Sequence, residues 1–216
     1  MDTTISVKAF SLGSWMTNCY VIFNRSTASC CVVDAGFDPE PMIDFILQEG
    51  LSCEKLFLTH SHLDHIAGVR QLLHAWPDME VLIHSAEEDF LTDPVKNLSA
   101  DIGMALTAPE ATGALRHGDE VEASGLILKV LHTPGHSPGG ICLYSREASI
   151  AFVGDTIFHG SVGRYDFPSS DGEALFAAIR EHILTLPEET RIFPGHGPDS
   201  TVGHEKKTNP FLNDYR

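Results

Sequence analysis

Short apolar runs separated by glycine, proline and polar turns dominate the chain, a pattern typical of β-strands. We predict strands over residues 5–10, 19–23, 30–34, 55–58, 81–84, 126–132, 140–144, 150–153 and 191–193. Apolar residues spaced three and four positions apart predict helices over residues 39–48, 67–74, 86–91 and 172–186.

Capping residues mark the ends of two predicted helices. Asp38 is a suitable cap for the first helix, Pro39 occupies its first turn and Gly50 follows its end. The longest helix begins after Asp171 and stops before Pro187, because proline lacks the N–H that a helix interior needs.

The predicted elements fall into two strand-rich parts, each accompanied by helices. Between them, residues 92–118 are less regular and carry several prolines and glycines, so we predict an inserted surface loop that could border a site. Two such parts indicate an α/β fold of two packed sheets with helices outside, that is, a four-layer sandwich.

The composition is that of a globular protein with a strong negative charge. The 14 basic and 30 acidic residues give a formal net charge of −16. Because nucleic acids and anionic membranes both need a basic face, this charge argues against either as the main partner. No apolar run reaches the roughly 18 residues of a membrane helix, and the first residues lack a signal-peptide pattern. We therefore expect a cytoplasmic protein.

The five cysteines agree with a reducing compartment. An odd number cannot pair completely within one chain, and none of them has the spacing of a zinc site. Cys30, Cys31 and Cys142 lie in apolar runs, so we predict buried reduced thiols.

The segment that follows predicted strand 55–58 contains four possible metal ligands within six residues. In extended chain, residues two apart point the same way, so His60 and His62 share one face. Asp64 and His65 are adjacent, and the helical pattern that follows would turn the chain to present both. A catalytic zinc ion takes three protein ligands, so four ligands in one segment suit two metal ions better than one.

Three further candidates occupy matching contexts. His136, Asp155 and His196 each follow a short apolar strand at a glycine-containing turn. In mixed α/β proteins, ligands gather at the carboxyl ends of strands. We therefore predict one metal site built from the residues of this set: His60, His62, Asp64, His65, His136, Asp155 and His196.

Such a set suits hydrolysis. Two cations that share a water lower its pKa far below the bulk value and so provide a nucleophile at neutral pH. We expect two divalent metal ions, zinc in the first instance, although iron and manganese also suit these ligands. The alternative to a metal site is that the histidines of residues 60–65 occur by chance at a polar helix start. The three matching strand ends disfavour this alternative.

Asp34 and His132 allow more than one interpretation. Asp34 ends another predicted strand and would either hydrogen-bond a ligand histidine or act only as a turn residue. His132 precedes the turn that carries His136, and we predict a buried core histidine there. The remaining histidines show no ligand spacing and are interpreted as surface or packing residues.

The motif HxHxDH, followed by TPGH, GD and PGHG, resembles the metallo-β-lactamase superfamily and, within it, the type II glyoxalases. The segments GRYDFP at residues 163–168 and NPFL at 209–212 resemble a short bacterial branch of these hydrolases. The resemblance implies an αββα sandwich forming a single domain over residues 1–216. It also implies that the separate helical domain that contacts glutathione in longer relatives is absent.

The resemblance further implies roles for individual residues. His60, His62 and His136 would hold one metal, Asp64, His65 and His196 the other, and Asp155 would bridge them. Asp64 and Asp155 would both be catalytic. Arg164 lies where glyoxalase II enzymes carry a basic residue for a substrate carboxylate, although Asp166 replaces a tyrosine found two positions further on.

The predicted function is hydrolysis of a small-molecule thioester such as S-lactoylglutathione. An iron persulfide dioxygenase that oxidises glutathione persulfide is the main alternative, because those relatives share the loop at residues 160–167. A third hypothesis for the function is a metal-binding sensor that catalyses no reaction. A true β-lactamase is disfavoured, since those enzymes usually have a cysteine where Asp155 stands. The oligomeric state is left open.

Overall fold

Two six-stranded sheets form the centre of the computed structural model, which describes residues 5–215. The first sheet has the order β1-β2-β3-β4-β5-β6, and the second has the order β14-β13-β10-β9-β8-β7. The first sheet contains β1 (Ile5–Leu12), β2 (Thr17–Asn24), β3 (Ser29–Val33), β4 (Ser52–Phe57), β5 (Glu80–His84) and β6 (Gly113–Leu115). The second contains β7 (Glu120–Ala123), β8 (Leu126–His132), β9 (Ile141–Ser145), β10 (Ile150–Gly154), β13 (Arg191–Pro194) and β14 (Ser200–Thr201).

Both sheets mix parallel and antiparallel pairs. β1, β2 and β3 form an antiparallel meander, and β3 through β6 run parallel. β7 through β10 are antiparallel, whereas β10 and β13 are parallel neighbours. A separate hairpin pairs β11 (Ile157–Phe158) with β12 (Ser161–Val162). The parallel pairs place the carboxyl ends of β4 and β5, and of β10 and β13, at common edges.

Helices cover the outer face of each sheet. The helices are α1 (Glu40–Gln48), α2 (Leu63–Ile66), α3 (Val69–Ala75), α4 (Gly172–Ala178) and α5 (Val202–Thr208). Met42 and Leu72 pack beneath the first sheet, and Leu175 and Ile179 pack against the second. None of the helices in residues 5–215 is long and apolar enough to cross a membrane.

The core between the sheets is aromatic and aliphatic. Tyr20 and Phe57 from the first sheet meet Phe152 and Phe193 from the second, and the rings of Phe152 and Phe193 stack at 5.3 Å. Strands β3, β9 and β10 are buried at every position, as expected when both faces of a sheet are covered. The predicted four-layer αββα fold is confirmed.

Two predicted helices differ from the observed ones. Residues 86–91 were predicted as an α-helix, but the structure has a 3-10 helix at Glu88–Thr92. The buried Glu87 side chain is held by groups outside this segment, so tertiary contacts override its periodicity. Predicted helix 172–186 becomes α4 followed by a π-helical turn at Ile179–Ile183. Ile179 and Ile183 are both fully buried in this turn.

Several short elements were missed. α5 was not predicted because it is brief and contains Gly203; Thr201 caps it by accepting a bond from the His204 amide. Strand β6 lies inside residues 92–118, where we predicted only an irregular loop, and it closes one edge of the first sheet. β7, β11, β12 and β14 were also missed, since two to four residues carry too little periodicity.

Candidate metal centre

All seven predicted ligands lie together at one edge of the two sheets. Each follows the carboxyl end of a strand: the segment 60–65 follows β4, His136 follows β8, Asp155 follows β10 and His196 follows β13. Their potential ligand atoms fall into overlapping groups whose members lie within 4.8 Å of one another. The geometry therefore matches the arrangement that the strand ends predicted.

Three histidines form the first group, which we call triad one. It contains His60, His62 and His136, all of them buried. Nδ1 of His62 lies 2.9 Å from Nε2 of His136, and the ring of His60 meets both of the other rings edge to face. Three imidazole nitrogens thus converge on one point.

Asp64, His65 and His196 form the second group, triad two. Oδ2 of Asp64 lies 3.6 Å from Nε2 of His65 and 3.2 Å from Nε2 of His196. His65 is fully buried, whereas the side chain of His196 is 30% exposed. Triad two therefore has one side that opens towards solvent.

Asp155 lies between the two triads. Its Oδ1 is 3.4 Å from Nε2 of His65 in triad two. Its Oδ2 is 3.6 Å from Nε2 of His136 in triad one and 3.5 Å from Nε2 of His196 in triad two. One carboxylate thus faces ligand atoms of both groups.

Hydrogen bonds behind the triads orient the imidazoles. Asp34 accepts from Nδ1 of His65 at 2.9 Å and from the Thr59 hydroxyl at 2.8 Å, and that hydroxyl lies 3.1 Å from Nδ1 of His60. Nδ1 of His136 donates to the carbonyl of Arg164 at 2.8 Å. These contacts hold protons on Nδ1 of His60, His65 and His136 and leave Nε2 of those three rings available for a cation, whereas His62 turns its Nδ1 towards the triad. Of the two interpretations offered for Asp34, the hydrogen bond to a candidate ligand histidine is the one observed.

Glu87 supports the site and was not predicted. Its buried carboxylate accepts from the amide and hydroxyl of Ser61 at 2.7 and 2.6 Å, and from the Gly139 amide at 2.6 Å. It therefore joins the loop of His60 and His62 to the loop that carries His136. A glutamate at the start of an acidic helical turn gives no sequence signal for this role.

The two triads differ in proton affinity. Burial lowers the pKa of His60 well below 6.5, and burial together with the neighbouring His136 lowers the pKa of His62 to about 3. Burial alone would also lower the pKa of His65, but the carboxylates of Asp64, Asp34 and Asp155 outweigh it and raise that pKa well above 6.5. In the same way, Asp64 and Asp155 overcome burial and raise the pKa of His196.

The two carboxylates themselves are ionised at neutral pH. Burial would raise the pKa of Asp64, yet the charges of His65 and His196 and a hydrogen bond from Thr17 lower it below 3.8. Burial likewise opposes ionisation of Asp155, and the same two histidines with His136 lower the pKa of that carboxyl. Negative charge at this edge therefore favours cation binding.

Buried polar atoms without partners show that these residues fit metal ions. Among the described residues, Nε2 of His60 and His65 and Oδ1 of Asp155 are buried and lack a hydrogen-bond partner. Each unpaired atom costs roughly 1–3 kcal/mol, and a coordinating cation would remove that cost. Imidazoles and carboxylates without thiolates suit zinc, iron and manganese.

Metal release should therefore be stepwise as the pH falls. Protons compete for His65 and His196 already at mildly acidic pH, because their pKa values are raised, whereas His60 and His62 stay neutral. Dialysis from about pH 7.5 to about pH 5.5 should empty triad two before triad one. Metal content and cobalt absorption spectra of the dialysed samples would check this; simultaneous loss from both triads would contradict it.

A cavity of about 440 Å³ opens over the triads. Its wall is largely apolar, with Trp15, Leu98, Ile102, Phe158 and Phe167. Leu98 and Ile102 come from residues 92–118, so this segment borders the site as predicted. Volume and lining suit a small organic ligand.

Arg164 lies at the mouth of this cavity with its charge already paired. Its guanidinium forms two bonds to Asp166, at 2.9 and 3.0 Å, and lies 4.2 Å from the centre of the Phe167 ring. The side chain is 65% exposed. Binding of a substrate carboxylate by Arg164 stays a prediction, because such a ligand would compete with Asp166.

We predicted a buried core histidine at His132, but the structure does not bury it fully. It is half-buried, its ring stacks on that of His84 at 4.0 Å, and its Nε2 donates to the Pro138 carbonyl. It does not join either triad.

Comparison with known proteins agrees with this architecture. The family model of the metallo-beta-lactamase superfamily matches residues 12–196. The hydroxyacylglutathione hydrolase GloC of Haemophilus influenzae is 31% identical over 97% of this chain and 99% of its own length. The crystal structure of the BLEG-1 B3 metallo-beta-lactamase has a TM-score of 0.92 at 35% identity, covering 96% of this chain and 100% of that one. TTHA1623, solved in a di-iron-bound form, has a TM-score of 0.84 at 35% identity, with coverages of 95% and 100%. The chain belongs to the metallo-beta-lactamase superfamily.

Proposed function

We propose that this protein is a metal-dependent hydrolase that cleaves thioesters such as S-lactoylglutathione to a hydroxy acid and a thiol. The proposal rests on the position of Asp155, which lies between two complete triads at the base of a cavity. Similarity over nearly the whole chain to the hydroxyacylglutathione hydrolase of Haemophilus influenzae supports the choice of thioesters. Members of the superfamily are mostly metal-dependent hydrolases.

Triad one would hold one metal ion, triad two a second, and Asp155 would contribute to both. When bound, two such ions lower the pKa of a shared water and polarise a carbonyl oxygen, so they supply both nucleophile and electrophile. The ionised carboxylates of Asp64 and Asp155 offset part of the positive charge. Thr17 donates to Oδ2 of Asp64 at 2.8 Å and so fixes the orientation of that carboxylate.

The cavity wall would position the substrate. Phe167 packs edge-on against the rings of His62 and His136, and Phe158 packs against His196. These rings exclude water from one side of the triads and offer an apolar surface to an acyl or thiol chain. The carbonyl carbon would then face the metal-binding edge.

Arg164 and Asp166 provide a test of how a carboxylate is recognised. Replacing Arg164 by alanine should raise KM for S-lactoylglutathione about three- to tenfold with little change in kcat, since the contact is exposed and remote from the reacting bond. Asp166→Asn should lower KM, because it removes one of the two acceptors and the negative charge that compete for the guanidinium.

A lactoyl thioester of N-acetylcysteamine, which has no carboxylate, is the control substrate for both variants. Its KM should not respond to either change. Equal changes in KM for the two substrates would show that Arg164 has a structural role and does not bind the substrate carboxylate.

The proposed function is tested by a substrate panel on two samples of one preparation, one loaded with zinc and the other with iron. The panel contains S-lactoylglutathione, its N-acetylcysteamine counterpart, a chromogenic β-lactam and glutathione persulfide with an oxygen electrode. Loss of thioester absorbance, absent in a parallel Asp155→Ala sample, is the expected result.

Other outcomes would overturn the proposal in distinct ways. Oxygen uptake without thioester cleavage in the iron-loaded sample would identify the persulfide dioxygenase, because zinc cannot support that oxidation. Hydrolysis of the β-lactam alone would identify a lactamase. A fully metallated sample that turns over no compound would favour a binding protein.

A further inference from the structure

A second cluster of potential ligands lies outside the catalytic edge. It contains His159 in the turn between β11 and β12, and His204 and Glu205 on α5. One ligand atom from each lies within 4.8 Å of the others, and the two imidazole rings are 4.8 Å apart at a tilt of 34°. Both histidines are exposed, whereas Glu205 is fully buried.

The carboxylate of Glu205 is unusual because it is buried among neutral donors. Oε2 accepts from the Gly160 amide at 2.9 Å and from the Asn209 amide group at 2.8 Å, while Oε1 accepts from the Ser200 hydroxyl. Among the ion-pair contacts of residues 5–215, its only partner is the imidazole of His204, whose Nε2 lies 4.0 Å from Oε1. A buried carboxylate without a close cation is costly.

One coordination position on Glu205 remains open. A carboxylate oxygen accepts about two bonds, so both positions on Oε2 are filled and one on Oε1 is left. Nε2 of His204 lies 4.0 Å from this oxygen. A tetrahedral zinc ion holds its ligand atoms roughly 3.3 Å apart, so the 4.0 Å gap needs only small side-chain rotations to receive one.

We propose that His159, His204 and Glu205 form a third metal site, for zinc or another borderline divalent transition metal. Two imidazoles and one carboxylate are a common zinc ligand set, and the exposed side leaves a fourth position for water. The cation would neutralise the buried carboxylate. It would also join α5 to the β11–β12 turn, which Glu205 already contacts through the Gly160 amide.

The site would stabilise one wall of the cavity. Phe158, which precedes His159, lines the cavity and packs against the ring of His196. A metal ion on His159 would restrict the turn that carries Phe158. The third site is independent of the reaction proposed for the triads.

His117 and His182 offer a matched control. Their rings are 4.9 Å apart, close to the separation of His159 and His204. However, among the described residues no third ligand completes a group with them. A non-specific affinity of paired surface histidines for zinc would therefore affect both pairs alike.

The test is the number of zinc ions per chain at a buffered micromolar free zinc concentration, measured by mass spectrometry of the metal after gel filtration. The full chain is compared with His159→Gln, His204→Asn and the control His182→Gln, each checked for folding by circular dichroism. We expect both cluster variants to bind one zinc ion fewer than the full chain and the control to bind the same number.

The outcome depends on the difference in zinc ions per chain between the full chain and each variant, so it does not require that the triads be fully occupied. Equal counts in the full chain and both cluster variants would overturn the proposal. If His182→Gln also lost one zinc ion, the loss would reflect non-specific binding by paired surface histidines. That result would also overturn the proposal.

Discussion

Replacing Asp155 by alanine should remove about one metal ion per chain and lower kcat for thioester hydrolysis by at least about a thousandfold. The carboxylate lies 3.4–3.6 Å from ligand nitrogens of both triads, so its loss weakens both positions and the contact between them. Metal analysis and initial rates on the same sample would measure the two effects together.

Asp101→Ala is the matched control. Asp101 is a carboxylate that lines the same cavity without joining either triad. Its replacement should leave the metal content unchanged and alter kcat only modestly. Retention of the full metal content and normal rates in Asp155→Ala would refute the bridging role.

A single methyl group at Gly195 should be nearly as damaging. A Cβ atom there would lie 2.2 Å from Oδ1 of Asp155 and 2.7 Å from Cε1 of His65, closer than any real contact. Gly195→Ala must therefore displace a carboxylate and an imidazole at once. We expect kcat to fall at least about a hundredfold, with weaker metal binding, measured by rates and metal content.

Gly197→Ala separates this steric effect from backbone strain. Gly197 has a positive φ of 75°, but apart from its chain neighbours no atom lies within 4 Å of the position that an added Cβ would occupy. Alanine there should cost about 1 kcal/mol of stability and spare the metal content. Similar losses in both variants would show that the loop, and not the collision with Asp155, controls the site.

Much of the site could be predicted because its ligands follow strand ends at fixed spacings. Strand β4 places His60 and His62 at the edge, and β10 and β13 run parallel, so Asp155 and His196 emerge side by side. Periodicity predicts such strands, and the glycine turns after them mark where side chains can converge. The long buried strands are therefore the best-predicted part of the fold.

The residues that support the ligands could not be predicted in the same way. Glu87 and Thr17 are far in sequence from the groups they bind, and their positions depend on how the first sheet packs beside the loops. For Asp34 the sequence left two interpretations open, a hydrogen bond to a ligand histidine or a simple turn residue, because an aspartate is common in turns. Such contacts are set by tertiary packing, which local periodicity does not describe.

Arg164 illustrates a further limit. Its position at the cavity mouth follows from the loop after β12, yet its pairing with Asp166 depends on side-chain geometry two residues away. Whether the guanidinium binds Asp166 or a substrate carboxylate is a competition between two exposed ion pairs. The sequence places the charge near the site but does not decide that competition.

The most direct test of the two-metal account is an anomalous diffraction map from a metal-loaded crystal, measured at the absorption edge of the bound metal. Two peaks are expected at this sheet edge, roughly 3.5–4 Å apart. One would lie within His60, His62 and His136, the other within Asp64, His65 and His196, with Asp155 contacting both. A single peak at this edge, or two peaks without Asp155 between them, would contradict it.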